Sequence, residues 1–315
     1  MPRLGVIVPG FQTTVQDAGR PGHAHLGVSA CGAADAVSMR IGNLLAGNSQ
    51  DAPALEMTLV GGTFQFEDAA VIAITGSDFG PLLDRSPVPL WTSIPVAPGQ
   101  RLECRATRSG ARCYLCISGG IKVPLVLGSA STHLMTGLGG HLGRALKAGD
   151  DLELGASQLQ IARLLRVPDL LVDLLRRDII RVTEGPQSGR YAGPALAEFV
   201  SNPYVVSEES NRMGIRLRGN PIRGLETGDM LTEGVSLGAV QVPPDGQPII
   251  LFVEHQTTGG YAKIANVISA DMHAVGQLRP RDTVRFEFVS LPKAMVLLIE
   301  LENLINLQSL EPSHD

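Results

Sequence analysis

Hydrophobic residues along this 315-residue chain gather in short runs instead of long stripes. "AAVIAIT" (69–75), "QRLECRA" (100–106), "RCYLCIS" (112–118), "PIILFVE" (248–254) and "DTVRFEFV" (282–289) are β-branched or alternate apolar with polar, and several end at Gly, Pro, Asn or Asp. Short runs of this kind fit pleated strands, so the pattern predicts the strands of a barrel or sandwich. Helical spacing appears in few places. In "ADAVSMRIGNLLAGN" it puts Val37, Ile41, Leu44 and Leu45 on one face, with Gly47 placed to end the helix. In "PKAMVLLIELENLINLQSL" it aligns Leu298, Leu301, Leu304 and Ile305, which predicts a C-terminal helix that packs on its own domain.

The chain is about twice the length of an average domain, so two lobes of roughly 150 residues are expected. Apolar residues make up 44% and charged residues 18%, enough for buried cores, while 36 glycines and 21 prolines imply many turns. The stretch "LLRVPDLLVDLLRRD" (164–178), apolar with charges, reads as a tethered connector between a first lobe, 1–163, and a second, 179–315, that ends in the C-terminal helix.

Internal similarity points the same way. "GGIKVPLVLGSA" from Gly119 and "GGYAKIANVISA" from Gly259 share Gly-Gly and Ser-Ala at one separation. "HLGVSACG" pairs with "RMGIRLRG", "GGTFQF" with "LGAVQV", and "LKAGDDLEL" with "LRPRDTVRF", all in the same order. One fold used twice is the economical reading: mainly β, two tandem barrel-like lobes with few short helices.

Charge narrows the function. A formal net charge of −5, with Lys and Arg scattered, gives no footprint for nucleic acid. The apolar start "MPRLGVIVPGF" is short and broken by Pro9, and no later run approaches a membrane span, so a cytoplasmic protein is expected. Cys31 and Cys104 stand alone and "CYLC" (113–116) lacks the second pair a zinc site wants, so four buried free thiols are expected. His23 and His25 in "HAH" lack a third ligand at a recognisable spacing.

Two stretches carry chemistry. "EHQTTGGYAK" (254–263) sets an imidazole, an amide, two hydroxyls, a double glycine and a phenol close together. Gln256 both donates and accepts, Thr257, Thr258 and Tyr261 add hydroxyls, and Gly259 and Gly260 allow close approach, which suits a neutral, planar, hydrogen-bonding ligand as well as it suits a Thr-rich turn. Near the N-terminus, Gln16, Asp17 and Arg20 flank a Gly-rich turn. Asp17 and Arg20 there are suited to a planar ion pair, or Arg20 to an incoming carboxylate.

"TTVQDAGRPGHAHLGV", "ISGGI", "LGSASTHL", "EESNRMGIRL", "GAVQVPPDGQPIILF" and "HQTTGGYAKIANVISAD" resemble, in order and over nearly the whole chain, the family of the 5-oxoprolinase C subunit. That family also includes allophanate hydrolase subunit 2 and part of the carboxyltransferase domain of urea carboxylase. The resemblance implies two cyclophilin-like β-barrels, and a protein that works with sister subunits B and A in an ATP-dependent opening of a small cyclic amide, 5-oxo-L-proline, to L-glutamate. It implies substrate-binding positions at Gln16, Asp17 and Arg20, and at Asn211, Arg212, Gln241, Gln256, Thr257, Thr258, Gly259, Gly260 and Tyr261. His255 and Asp271 are the nearest candidates for proton transfer.

The alternatives are a subunit of a biotin-dependent urea or amide carboxyltransferase, and a regulatory protein that binds its sister subunit to control a histidine kinase. No G-x-x-x-x-G-K-[ST] loop occurs, so the expected ATP site is of another kind or on a partner. No biotin-attachment motif occurs either, so under the carboxyltransferase reading biotin arrives on a separate chain. Three departures stand out: Glu254 and Ala262 where the family commonly has Asp and Pro, and Arg281 where Gly is usual.

Overall fold

A computed structural model describes residues 2–156, 164–191, 193–225 and 230–313. The chain opens with β1 (Arg3–Val8), β2 (Gln12–Gln16), α1 (Ala36–Leu45), β3 (Ala54–Thr58), β4 (Thr63–Phe66) and β5 (Ala70–Gly76). There follow β6 (Leu82–Leu83), β7 (Ser86–Pro87), β8 (Ser93–Val96), β9 (Arg101–Glu103), β10 (Arg112–Ile117) and β11 (Asp151–Glu153). Next come β12 (Leu165–Arg166), α2 (Asp169–Leu175), β13 (Ile179–Glu184), α3 (Ala195–Ser201), β14 (Tyr204–Val206) and β15 (Gly214–Gly219). The rest is β16 (Glu233–Gly234), β17 (Ala239–Val242), β18 (Ile249–Leu251), β19 (Thr258–Gly259) and β20 (Ala262–Val267), then α4 (Met272–Gly276), β21 (Thr283–Phe288), α5 (Leu291–Leu304) and β22 (Glu311–Pro312). The mainly β prediction holds: β9, β10, β18 and β21 fall inside their predicted runs, and β5 ends one residue beyond its own. Among the described residues no helix is long and apolar enough to cross a membrane.

Contacts divide the chain into two compact units: Met1–Arg20 with Cys31–Asp173 and Leu304–Asp315, and Pro21–Ala30 with Leu174–Asn303. The segment read as a connector contains β12 and α2.

In the first unit, one sheet runs β11-β1-β4-β9-β6-β7 and a second β2-β3-β10-β5-β8. Alternate residues of both meet in one core: Leu4, Phe64, Leu102 and Leu152 from the first, Val15, Leu55, Ile72, Ile74 and Leu115 from the second. The outer face of the second sheet is covered as well, since Ala54, Tyr114 and Cys116 pack with Met39 and Ala46 of the α1 segment. A strand buried on both faces has no polar side to show, which is why "RCYLCI" reads as a continuous run.

Asp35 caps α1 by accepting from the Ser38 amide at 2.9 Å, and the predicted face Val37, Ile41, Leu44 and Leu45 is buried. Gly42 lets the helix approach: a Cβ there would lie 2.7 Å from both Cys116 Sγ and Thr75 Oγ1. All four cysteines are free and buried, as the sequence predicts.

The second unit closes its strands into a barrel, β13-β20-β17-β18-β15-β14-β21, with the parallel β13–β21 pair completing the ring. Phe199 of α3 stacks on Phe286 of β21 with ring centroids 4.6 Å apart. Along α5 Ala294 and Leu301 are buried.

The proposed internal repeat is visible at one turn in particular. Before β11, the Lys147 amide donates to Asp150 Oδ2 at 2.7 Å and the Asp150 amide donates to the Lys147 carbonyl at 3.1 Å. Before β21, Arg279 and Asp282 make the same two bonds at 2.8 and 3.1 Å. Gly149 in the first turn and Arg281 in the second both have positive φ, +86° and +74°. The pairing of 25–32 with 212–219 is not matched in the same way: β15 lies in the latter, while the former holds the end of a single 3-10 turn, Ala24–Leu26.

Candidate functional site

The first-unit cluster forms where β2 ends. Asp17, buried, accepts four hydrogen bonds: from the Gly19 amide (2.8 Å), Ser129 Oγ (2.6 Å), Ser131 Oγ (2.5 Å) and the Ala130 amide (2.6 Å). Its carboxylate therefore straps the 129–131 segment onto the β2 end. The predicted partnership with Arg20 is replaced by this strap. Arg20 donates Nε to the Val126 carbonyl at 3.3 Å and Nη2 to the Ser131 carbonyl, and it is 1% exposed. Its Nη1 is buried without a partner among the described residues. Gln16 spends its amide on Thr14 Oγ1 and the Thr132 carbonyl, at 3.0 and 3.1 Å. Gly139 lies directly over this arrangement: a Cβ there would come within 2.7 Å of Arg20 Nη2.

The second-unit cluster forms on the barrel wall. β17 and β20 run antiparallel with Gln241 directly opposite Lys263, beside a bulge at Val240–Gln241. Directly opposed residues put their side chains next to each other on one face, so an amide and an ammonium are neighbours. Both are buried. Above them a short ladder pairs β16 with β19, Glu233 opposite Gly259. The Val235 amide extends it by donating to the Thr257 carbonyl at 3.1 Å.

Gln256 Nε2 donates to Gln241 Oε1 at 3.3 Å, which leaves Gln241 Nε2 buried with no partner among the described residues. Lys263 Nζ is ion-paired with Glu233. Gln187 ties the pair together, accepting from the Lys263 amide at 3.1 Å and donating to Glu233 Oε1 at 2.8 Å. The Lys263 ammonium, and then Gln187, hold the Glu233 carboxyl below the ordinary carboxylate range.

Beside this cluster, His255 Nδ1 lies 2.6 Å from the Gln256 carbonyl oxygen. A carbonyl only accepts, so the neutral ring carries its proton on Nδ1 and keeps Nε2 as the acceptor. Burial lowers the pKa of this ring, partly opposed by the carbonyl contact.

The other predicted residues take structural places. Arg212 is buried in an ion pair with Glu254, whose amide also donates to the Arg212 carbonyl at 2.8 Å, so this cation is engaged in fixing the start of the "EHQTTGG" segment. Asn211 accepts from the Met213 amide at 2.8 Å in an exposed turn. Asp271 is fully buried and accepts from Arg181 three times: Nε at 2.9 Å, Nη2 at 2.5 Å and the backbone amide at 2.8 Å. That network holds β13 to the turn before α4 and leaves the carboxylate poorly placed for proton transfer. Thr258, Gly260 and Tyr261 are exposed.

Comparison with known proteins decides the family. The model of the carboxyltransferase domain, subdomains A and B, matches residues 26–288. The chain belongs to this family. Among its relatives, the C subunit of 5-oxoprolinase from Escherichia coli is 41% identical over 93% of this chain and 93% of its own. The protein of the same name from Haemophilus influenzae is 38% identical over 91% of both chains. The crystal structure of Kluyveromyces lactis urea amidolyase superposes with a TM-score of 0.90 at 32% identity, covering 96% of this chain, which spans 20% of that protein.

Within this carboxyltransferase-family chain, then, one cluster is nearly saturated and the other is not. Sequence reasoning named Gln241 and Gln256 but passed over Lys263, Glu233 and Gln187. The readable signal was Lys263 itself, the one charged residue of the strand "AKIANV". Glu233 and Gln187 gave none, because only the closed barrel brings them to Lys263. The assembled groups offer one unpaired amide donor, Gln241 Nε2, of the kind that stabilises charge on a carbonyl oxygen.

Proposed function

We propose that this chain is the C subunit of a 5-oxoprolinase, a hydrolase complex that converts 5-oxo-L-proline to L-glutamate at the expense of ATP. In this reading it acts in the cytoplasm together with sister subunits A and B. The observation that carries it is the end-to-end match: the two 5-oxoprolinase relatives align over more than nine-tenths of both chains. The urea amidolyase of Saccharomyces cerevisiae matches at 34% and over 16% of its own length.

The site chemistry supports the same reading. A lactam presents a planar N–C=O group, and the unpaired Gln241 Nε2 is the donor for its oxygen, with Gln256 fixing the orientation of that amide. Oxygen charge that grows as water attacks the carbonyl carbon strengthens this hydrogen bond, which is how such a donor lowers a barrier. His255 Nε2 is the candidate proton acceptor. The cluster around Gln241 holds one lysine and does not make a triphosphate cradle, so in this reading ATP binds elsewhere, at a site of another kind or on a partner, and no step at this cluster runs through it.

Reconstitution tests the proposal. The purified chain, its cognate A and B subunits, 5-oxo-L-proline and ATP are combined and glutamate release is followed. Turnover is expected only with all three subunits, and Gln241→Ala is expected to lower it about 100-fold, the typical loss for one oxyanion donor. Full turnover without this chain overturns the reading.

A further inference from the structure

Lys263 and Glu233 make an unequal pair. Lys263 is 3% exposed and its backbone is built into the barrel, with β13 and β17 on either side of its strand. Glu233 has 45% of its side chain exposed and sits on the two-residue ladder β16–β19. The anion can return to water by a side-chain rotation, while the cation has no comparable exit. A buried ammonium without an anion is costly. An anion beside Nζ offsets that cost, and Glu233 is the one that belongs to the chain.

The next group on the wall is the unpaired Nε2 of Gln241. Gly259, opposite Glu233 in the ladder, covers it closely, since a Cβ there would fall 2.7 Å from that nitrogen. A buried ammonium whose anion is half-exposed, next to an amide donor without a partner, matches a small molecule that carries a carboxylate next to an amide carbonyl.

We infer that Lys263 is the carboxylate-recognition residue of this site and that Glu233 holds the carboxylate's place until the substrate displaces it. This rests on the reading of the chain as a lactam-handling subunit. Gln241 meets the carbonyl and Lys263 the carboxylate, so a ligand with both is selected over one with the amide alone. Glu233 lowers the affinity for every carboxylate ligand alike and keeps the ammonium compensated when none is bound.

The test uses the purified full chain at neutral pH and three probes: 5-oxo-L-proline, 2-pyrrolidinone, which is the same ring without the carboxylate, and N-acetylglycine, which has a carboxylate and an open-chain amide. Affinities come from NMR titration. Glu233→Gln is expected to tighten 5-oxo-L-proline and N-acetylglycine about tenfold and to leave 2-pyrrolidinone within twofold. Lys263→Met is expected to erase the preference for carboxylates, and in the double variant Glu233→Gln has no further effect. Because Glu233 lies at the surface, its variant keeps the proposal testable should the buried lysine variant fold poorly. Unchanged or weaker carboxylate binding in Glu233→Gln, or no binding by either protein, overturns the inference. If the probes behave as expected while the reconstituted complex releases no glutamate, the oxoprolinase reading fails and the site assignment stands.

Discussion

Asp17→Asn separates two uses of the same residue. As a substrate ligand, Asp17 would lose function on this change and leave the fold intact; as a strap, it would lose stability. Oδ1 accepts from the Gly19 amide, Ser129 Oγ and Ser131 Oγ, while Oδ2 accepts from the Ala130 amide. The best amide orientation keeps its oxygen at the Oδ1 position and turns its NH₂ toward the Ala130 N–H, setting two donors against each other where the carboxylate oxygen lay 2.6 Å away. A charge-assisted bond is worth about 1.5–3 kcal/mol and an unsatisfied buried donor costs about 1–3 kcal/mol, so with partial relaxation the expected loss is about 2–4 kcal/mol. In a unit of this size that corresponds to a fall in Tm of about 4–16 °C. Trp91, the single tryptophan of the chain, lies in the same unit and reports its urea unfolding by fluorescence. A loss below about 0.5 kcal/mol, within the range of ordinary surface changes, would refute the strap.

Three further outcomes follow from the geometry. Arg281→Gly is expected to be more stable than Arg281→Ala by about 1 kcal/mol in urea denaturation, since both remove the exposed pair with Glu208 and only glycine accepts φ of +74° without strain; equal stabilities would refute it. Asp271→Ala is expected to cost about 3–5 kcal/mol, because it leaves Arg181 without its buried partner; unaltered thermal stability together with lost turnover would restore Asp271 as a proton-transfer candidate. Burial raises the hydroxyls of Tyr191 and Tyr204 to about 12, so between their unfolded pKa near 10 and that value the folded state keeps protons the unfolded state releases, and stability falls as pH rises; a urea midpoint by circular dichroism that stays flat from about pH 9.5 to 11.5 would contradict this.

Legibility in the sequence followed the range of the interaction that fixed each feature. The α1 face and the Gly47 stop are set by residues within one or two turns, and periodicity exposed them. The departure at Arg281 was also local: a turn position usually given to glycine has positive φ here too. Roles that depend on closure were not readable. Gln16, Asp17 and Arg20 form a compact group in the sequence, yet what occupies them is a segment more than a hundred positions away. Arg212 pairs with Glu254, and Asp271 with Arg181, 42 and 90 residues distant. Each was flagged by residue type and motif, and each turned out to be committed by contacts that the sequence does not spell out.

That difference in commitment is itself the argument for where binding occurs. A fold gains little by leaving buried donors unpaired, since each unmade hydrogen bond costs on the order of 1–3 kcal/mol. Around Asp17 the chain satisfies its polar groups almost completely, Arg20 Nη1 apart. Around Gln241 it leaves the amide nitrogen without a partner, beside a buried lysine ammonium whose anion, Glu233, is half-exposed. Stability alone would favour an apolar pair at these positions. Keeping two expensive polar groups there is consistent with a ligand that engages them, and it makes the barrel wall between β17 and β20, more than the N-terminal turn, the place to look for substrate.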